Sequence, residues 1–232
     1  MRIELRRSYP AVHRGIGLSC GGSQNWFPDE NFRRCGCGVI ACADVLLYLT
    51  GRAELSQEAY LAYVNALRRY FPLIPGRGID GLRLALGLNL CFRKNTVPVR
   101  ASWCVSGARF FDRLEAMLAD DLPAVIAIGP NFPRIWGNET LPLYRKTEEG
   151  YVSPESTKAH FLTVLAMDDD WMEVSSWGRR LYLERRAYAG YMRRQGSLFT
   201  NLLSLKKIYT WQKRSLLPFL LGNCYLTCIT RD

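Results

Sequence analysis

Histidine is scarce in this chain: His13 and His160 are the only two in 232 residues. Imidazole is the side chain whose ordinary pKa lies near neutrality, so proton-transfer chemistry at that pH is narrowed to two positions. The paired two-residue cysteine spacings of a zinc ribbon are also missing. Cys35-Gly36-Cys37 and Cys224-Tyr225-Leu226-Thr227-Cys228 lack them, and neither histidine lies near either group, so no metal site and no cofactor is expected. The N-terminus, Met1-Arg2-Ile3-Glu4-Leu5-Arg6-Arg7, is basic but has no apolar core of a signal peptide. A cytoplasmic location and free thiols are the corresponding expectations. No apolar run reaches the roughly 20 residues of a spanning helix. Ser215 to Thr230 comes nearest, but Pro218, Gly222 and Asn223 interrupt it. Internal repeats and low-complexity tracts are absent too. Lys and Arg number 31 against 21 Asp and Glu, a formal charge of +10, yet they fall in ones and twos. Without a basic run or a reader motif, nucleic acid is not the expected partner.

What is present suits a folded domain. Hydrophobic residues make up 48% and charged residues 22%, the balance of a globular chain rather than a disordered one. Cys37 to Thr50 is apolar apart from Asp44 and is closed by Gly51; a helix apolar on every side belongs in the interior. Ser56 caps a second helix with the stripe Tyr60, Tyr63, Val64, Leu67, Tyr70 and Phe71, ending before Pro72. A Pro/Gly-rich stretch and a short helix over about 82–90 follow. From Val97 the pattern turns to strands: 97–104, 124–128, 160–167, 171–177, 181–183 and about 198–205, with helices at 108–119 and about 184–194. Residues 129–150 read as a long loop, one wall of a cleft. Asp168-Asp169-Asp170 reads as a hairpin turn. The expected organisation is one domain over 1–205, with a helical lobe at about 31–95 and a strand-rich lobe at about 96–205. Residues 206–232 are an appendage, packed or peripheral, whose Leu, Phe and Tyr beside lysines would also suit a membrane surface.

The chemistry-bearing stretch is Asn31-Phe32-Arg33-Arg34-Cys35-Gly36-Cys37-Gly38-Val39-Ile40-Ala41, which sets a thiol between glycines where the buried helix begins. Unpaired N–H groups and a partial positive charge gather at a helix N-terminus, so a cysteine there can lose its proton near neutral pH. Cys35 competes as nucleophile, but Cys37 begins the helix directly. His160 opens a strand and is followed by Trp171-Met172-Glu173-Val174-Ser175-Ser176-Trp177-Gly178, whereas His13 lies on a glycine-rich segment without such a motif.

A thiol on a buried helix in a helical first half, followed by a histidine in a strand-rich second half, resembles the papain-like cysteine peptidases. Bacterial members similar to the bacteriocin-leader-processing peptidases are included. The resemblance rests on Cys37-Gly38, Pro123-Ala124-Val125-Ile126-Ala127-Ile128, His160 and Ser176-Trp177-Gly178. It implies an α+β fold of two lobes, a helical lobe with a buried central helix against a twisted antiparallel sheet or half-barrel. It implies peptidase or related thiol acyl hydrolase or transferase activity on peptide or isopeptide bonds, with a peptide or protein substrate. It further implies Cys37 as nucleophile and His160 as acid and base, with Trp177 shielding the pair. The family's oxyanion-stabilising glutamine, six residues before the cysteine, falls on Asn31; Gln24 is the other candidate if its loop folds back. The family's imidazole-orienting Asn or Asp falls on Ser175, which has no charge to support an imidazolium. Glu173, two residues earlier on the same strand face, is the alternative orienter. That departure makes a catalytically silent groove binding a peptide or protein the second reading.

Overall fold

The computed structural model describes residues 1–104, 109–129, 139–195 and 202–208. In the N-terminal half, β1 (Ile3–Glu4), β2 (Ala11–Arg14) and β3 (Gly17–Leu18) lead into a glycine-rich loop and a 3₁₀ turn over Gln24–Trp26. Helix α1 (Glu30–Cys35) follows, capped by Asp29, whose carboxylate accepts the Phe32 N–H. Gly36 then joins it to α2 (Cys37–Leu49). Eleven consecutive residues of α2, Gly38 to Tyr48, are buried, as its apolar composition predicts. Gly51, at φ +73°, follows the helix and ends it. β4 (Glu54–Ser56) pairs in parallel with β2, and Ser56 caps α3 (Gln57–Leu67) by accepting the Ala59 N–H. The expected stripe is divided, with Tyr60, Val64, Leu67 and Phe71 buried and Tyr63 and Tyr70 partly so. Helix α4 (Gly81–Lys94) runs longer than expected, and its last turn ends in Arg93 and Lys94.

The second half is an antiparallel sheet: β5 (Val99–Cys104), β6 (Ala124–Ile128), β7 (Leu141–Thr147), β8 (Gly150–Thr157), β9 (His160–Met167), β10 (Trp171–Ser176), β11 (Arg179–Glu184) and β12 (Leu202–Lys207). Their order is β5-β12-β6-β9-β10-β11-β7-β8, and β1 joins by pairing with the end of β9 beyond the reach of β6. Helices α5 (Phe110–Ala119) and α6 (Arg185–Gln195) complete the described elements. β6 is buried at every position because strands flank it and helices cover it, which makes it a continuous apolar run. The fold is therefore α+β, with α2 packed against β9 of the sheet and against α3 and α4.

The expectation of a loop over 129–150 is corrected in part. Leu141 and Leu143 alternate inward as strand residues do, and β7 and β8 form a hairpin turning at Glu148 and Glu149, with Gly150 at φ +124° opening β8. Pro142 disguised that strand, but it lies in a hairpin that joins the main sheet through the single pair Tyr182 and Tyr144. Residues 130–138, the rest of that expected cleft wall, lie outside the described residues, as does the appendage from 209 onward. β12 extends through Lys207. Among the described residues no helix is long and apolar enough to cross a membrane.

Candidate active site

Cys37 sits at the first position of α2, where the N–H groups of Cys37, Gly38 and Val39 precede the first intrahelical bond, from the Ile40 N–H to Gly36 O. The backbone N–H groups of the helix start and of Phe161, the residue after His160, favour the ionised form of its thiol. Helix α2 itself packs on the histidine strand, β9. Gly38 allows the approach, since a Cβ there would lie 2.9 Å from Leu84 Cδ1 and 3.1 Å from both Ile79 Cγ2 and Phe161 Cδ2. One cavity is lined by Cys37, His160, Gln24, Ser176, Trp177 and Asp44. Cys35, which closes α1, does not line it, and His13 is on the exposed β2 with Glu54, 2.9 Å from its Nε2.

His160 is buried, and its Nε2 lies 2.7 Å from Ser176 Oγ. With Nε2–H donating to that hydroxyl, Nδ1 is the basic nitrogen. The Trp177 indole stacks on the imidazole, ring centroids 4.6 Å apart and planes inclined by 24°. To do so Trp177 adopts φ +51°, followed by Gly178 at +73°, the paired left-handed residues of a two-residue hairpin turn between β10 and β11. An aromatic residue in that conformation is strained, and the stacking on His160 uses it.

Ser175 is not the residue on the imidazole. Its hydroxyl donates to Cys20 O at 2.8 Å. Glu173 is likewise engaged elsewhere, in ion pairs with Arg2 and Arg180, each at 2.8 Å. The shared face expected for Glu173 and Ser175 is present, but alternation along β10 turns Ser176 to the opposite side, and His160 meets the strand there. Asn31 is also placed away from the cavity. It lies within α1, and its amide oxygen accepts the Gly76 N–H at 3.2 Å. Gln24 occupies the cavity instead, because the loop before it folds back.

A buried carboxyl secures that loop. Asp44, two turns along α2 from Cys37, accepts the Gly22 N–H at 2.9 Å and the Tyr60 hydroxyl at 2.7 Å. A Cβ on Gly21 would lie 2.4 Å from the Asp44 carboxylate, and one on Gly22 would enter the Tyr60 ring. Ser23, accepting the Asn25 N–H, then starts the turn that carries Gln24. Asp44 had a legible signal, a lone charge in an apolar helix that requires buried partners. Ser176 had none beyond its neighbour.

Burial governs the titration of the site. It pushes the Cys37 thiol up to about 11, against the smaller opposing effect of the Phe161 and Gly38 N–H groups. It pushes His160 down to about 3 and Asp44 up to about 7. Both shifts favour the neutral forms, a thiol and an imidazole, so burial opposes the ionisation that a helix N-terminus allows a cysteine. Cys20, Cys35, Cys37, Cys42 and Cys91 are free thiols. Among the described residues no group of three or more His, Cys, Asp or Glu is placed to hold a metal ion.

The fold and cavity define an α+β protein with a cysteine and a histidine presented from a helix start and a strand start. No protein-family model and no curated protein matches the chain. Among solved structures it is similar to a Bacillus anthracis protein described as a C39-like peptidase, at 13% identity and TM-score 0.49, over 89% of this chain and 98% of the other. A likeness that shallow carries no functional conclusion, which rests on the geometry.

Proposed function

We propose that the chain is a papain-like thiol hydrolase of peptide or isopeptide bonds. The observation that supports this reading most is that Cys37, at the start of α2, and His160, at the start of β9, line one cavity together with Gln24. As the S–C bond forms, the thiol proton passes to Nδ1 of His160, so the nucleophile is generated during attack rather than stored as a thiolate. The developing oxyanion is met by the Gln24 amide and a free N–H of the α2 terminus. His160 then gives its proton to the leaving amine, the C–N bond breaks, and water or a second amine releases the acyl group by the same exchange. Ser176 fixes the tautomer throughout.

A second reading, a silent groove that binds a peptide, is favoured by one observation. The partner of Nε2 is a neutral hydroxyl, which supports an imidazolium less than a carboxylate or carboxamide would. Incubation of the full chain with a defined peptide mixture, followed by mass spectrometry, separates the two. New termini that disappear in Cys37→Ala and in His160→Ala are expected. Retention of peptides without any new termini would establish the silent groove, and turnover surviving Cys37→Ala would remove Cys37 from the mechanism.

A further inference from the structure

A second cavity, about 540 Å³, borders the wall formed by residues 20–22 and 175–178, of which Gly22, Ser175, Ser176 and Trp177 line the first. Arg145, Arg179, Arg180, Ser19, Cys20 and Gly178 line it, and none of its lining residues is a carboxylate. The wall is continuous with the candidate active site. Gly178 follows Trp177, which stacks on His160, and its carbonyl accepts the Cys20 N–H at 3.0 Å.

The three guanidiniums are not equivalent. Glu155 holds Arg179, with one N···O contact of 2.7 Å, and Glu173 holds Arg180 at 2.8 Å. Both carboxylates sit outside the cavity lining and so brace these arginines without filling it. Arg180 shares the lining with Cys20, and Arg179 lies over the Trp177 ring, 5.9 Å from its centroid. Arg145, on the adjacent β7, has no acidic partner among the described residues. Three cations share two carboxylates, and the excess positive charge faces an open space. A guanidinium fork matches a planar carboxylate in spacing, and a peptide brings that group as an Asp or Glu side chain.

We infer that this cavity is the subsite for an Asp or Glu side chain of the peptide substrate, a specificity pocket for acidic peptides. The inference rests on the proposed peptide-hydrolase reading for the identity of the ligand. Trp177 lines one cavity and the next residue, Gly178, lines the other, so a peptide lying over this turn meets both. Its acidic side chain then enters among the arginines while the scissile bond lies over Cys37.

The first arm of the test uses matched peptides carrying Glu or Gln at one position beside each site cut by the wild-type chain. Expected is a kcat/KM about tenfold higher for the Glu member at one fixed position, with the ratio falling towards one in Arg145→Gln and in Arg179→Gln. Cys37-dependent cleavage with no Glu preference at any position, or a preference unchanged in Arg145→Gln, overturns the subsite while leaving the hydrolase intact. Should no Cys37-dependent cleavage exist, the hydrolase reading fails by itself and the cavity is tested directly. The Cys37→Ala chain is titrated with triglutamate and with triglutamine by calorimetry at two salt concentrations. Salt-sensitive binding of triglutamate alone, weakened in Arg145→Gln, supports the subsite; equal or undetectable binding of both peptides overturns it.

Discussion

Two adjacent serines with different partners separate catalytic support from loop attachment. Ser176 Oγ is on His160 Nε2, and Ser175 Oγ is on Cys20 O. Removing the Ser176 hydroxyl frees the imidazole to take the other tautomer, so Ser176→Ala should lower kcat by about ten- to a hundredfold with little change in KM. Ser175→Ala breaks a bond that anchors residue 20, and should cost about 1 kcal/mol of stability while leaving kcat nearly unchanged. Steady-state kinetics and urea unfolding on both variants read these out. Equal kinetic losses would mean that both serines act through the loop rather than through the imidazole.

At the scale of elements, the site depends on a loop held against a helix. Gly22 donates to Asp44 and has no room for a side chain, since a Cβ would lie 1.9 Å from the Tyr60 hydroxyl oxygen and 2.1 Å from its Cζ. Gly22→Ala should therefore displace the loop and, with it, Gln24 two residues on. The expected result is a loss of about 1–3 kcal/mol and a fall in kcat. Gly51→Ala is the control, because its φ of +73° imposes strain but nothing lies within 4 Å. It should lose about 1–2 kcal/mol with kcat preserved. Preserved kcat in Gly22→Ala would detach the loop from the chemistry. The same elements show what the sequence made legible. α2 was readable because burial on all sides leaves a composition that no exposed helix has, and its first residue followed from Gly36 and Gly38. β9 was readable from its apolar run, Phe161 to Met167. The place of Gln24 was readable only on the condition that its loop folds back, because it follows from a chain reversal that bonds Gly22 to Asp44 rather than from spacing to Cys37. Ser176 rather than Ser175 meets His160 for a related reason. The register of β10 on β9 shifts between Glu173 and Val174, and a one-residue shift exchanges the faces of a strand.

Across the whole molecule, the two groups that burial shifts most visibly at the site act on folding with opposite signs. His160 titrates at about 3 when folded and near 6.5 when free, so between those values the unfolded chain binds the extra proton. Its contribution is present above pH 6.5 and is lost as pH falls towards 3. Asp44 titrates at about 7 when folded and near 3.8 when free, so there the folded chain holds the extra proton. Its contribution is present below pH 3.8 and is lost as pH rises towards 7. From about pH 4 to 6.5 the two slopes cancel, one proton against the other. Deleting either group should expose the slope of the one that remains. Relative to wild type, Asp44→Asn should lose about 3–4 kcal/mol of stability between pH 6.5 and 4, and His160→Ala should gain a similar amount over the same change. Urea unfolding of the three proteins at pH 4.0, 5.2 and 6.5 measures this, and the differences from wild type cancel the contribution of the surface carboxylates. Parallel curves for all three proteins would show that neither group is held neutral by the fold, and the neutral thiol–imidazole pair would then give way to an ionised one.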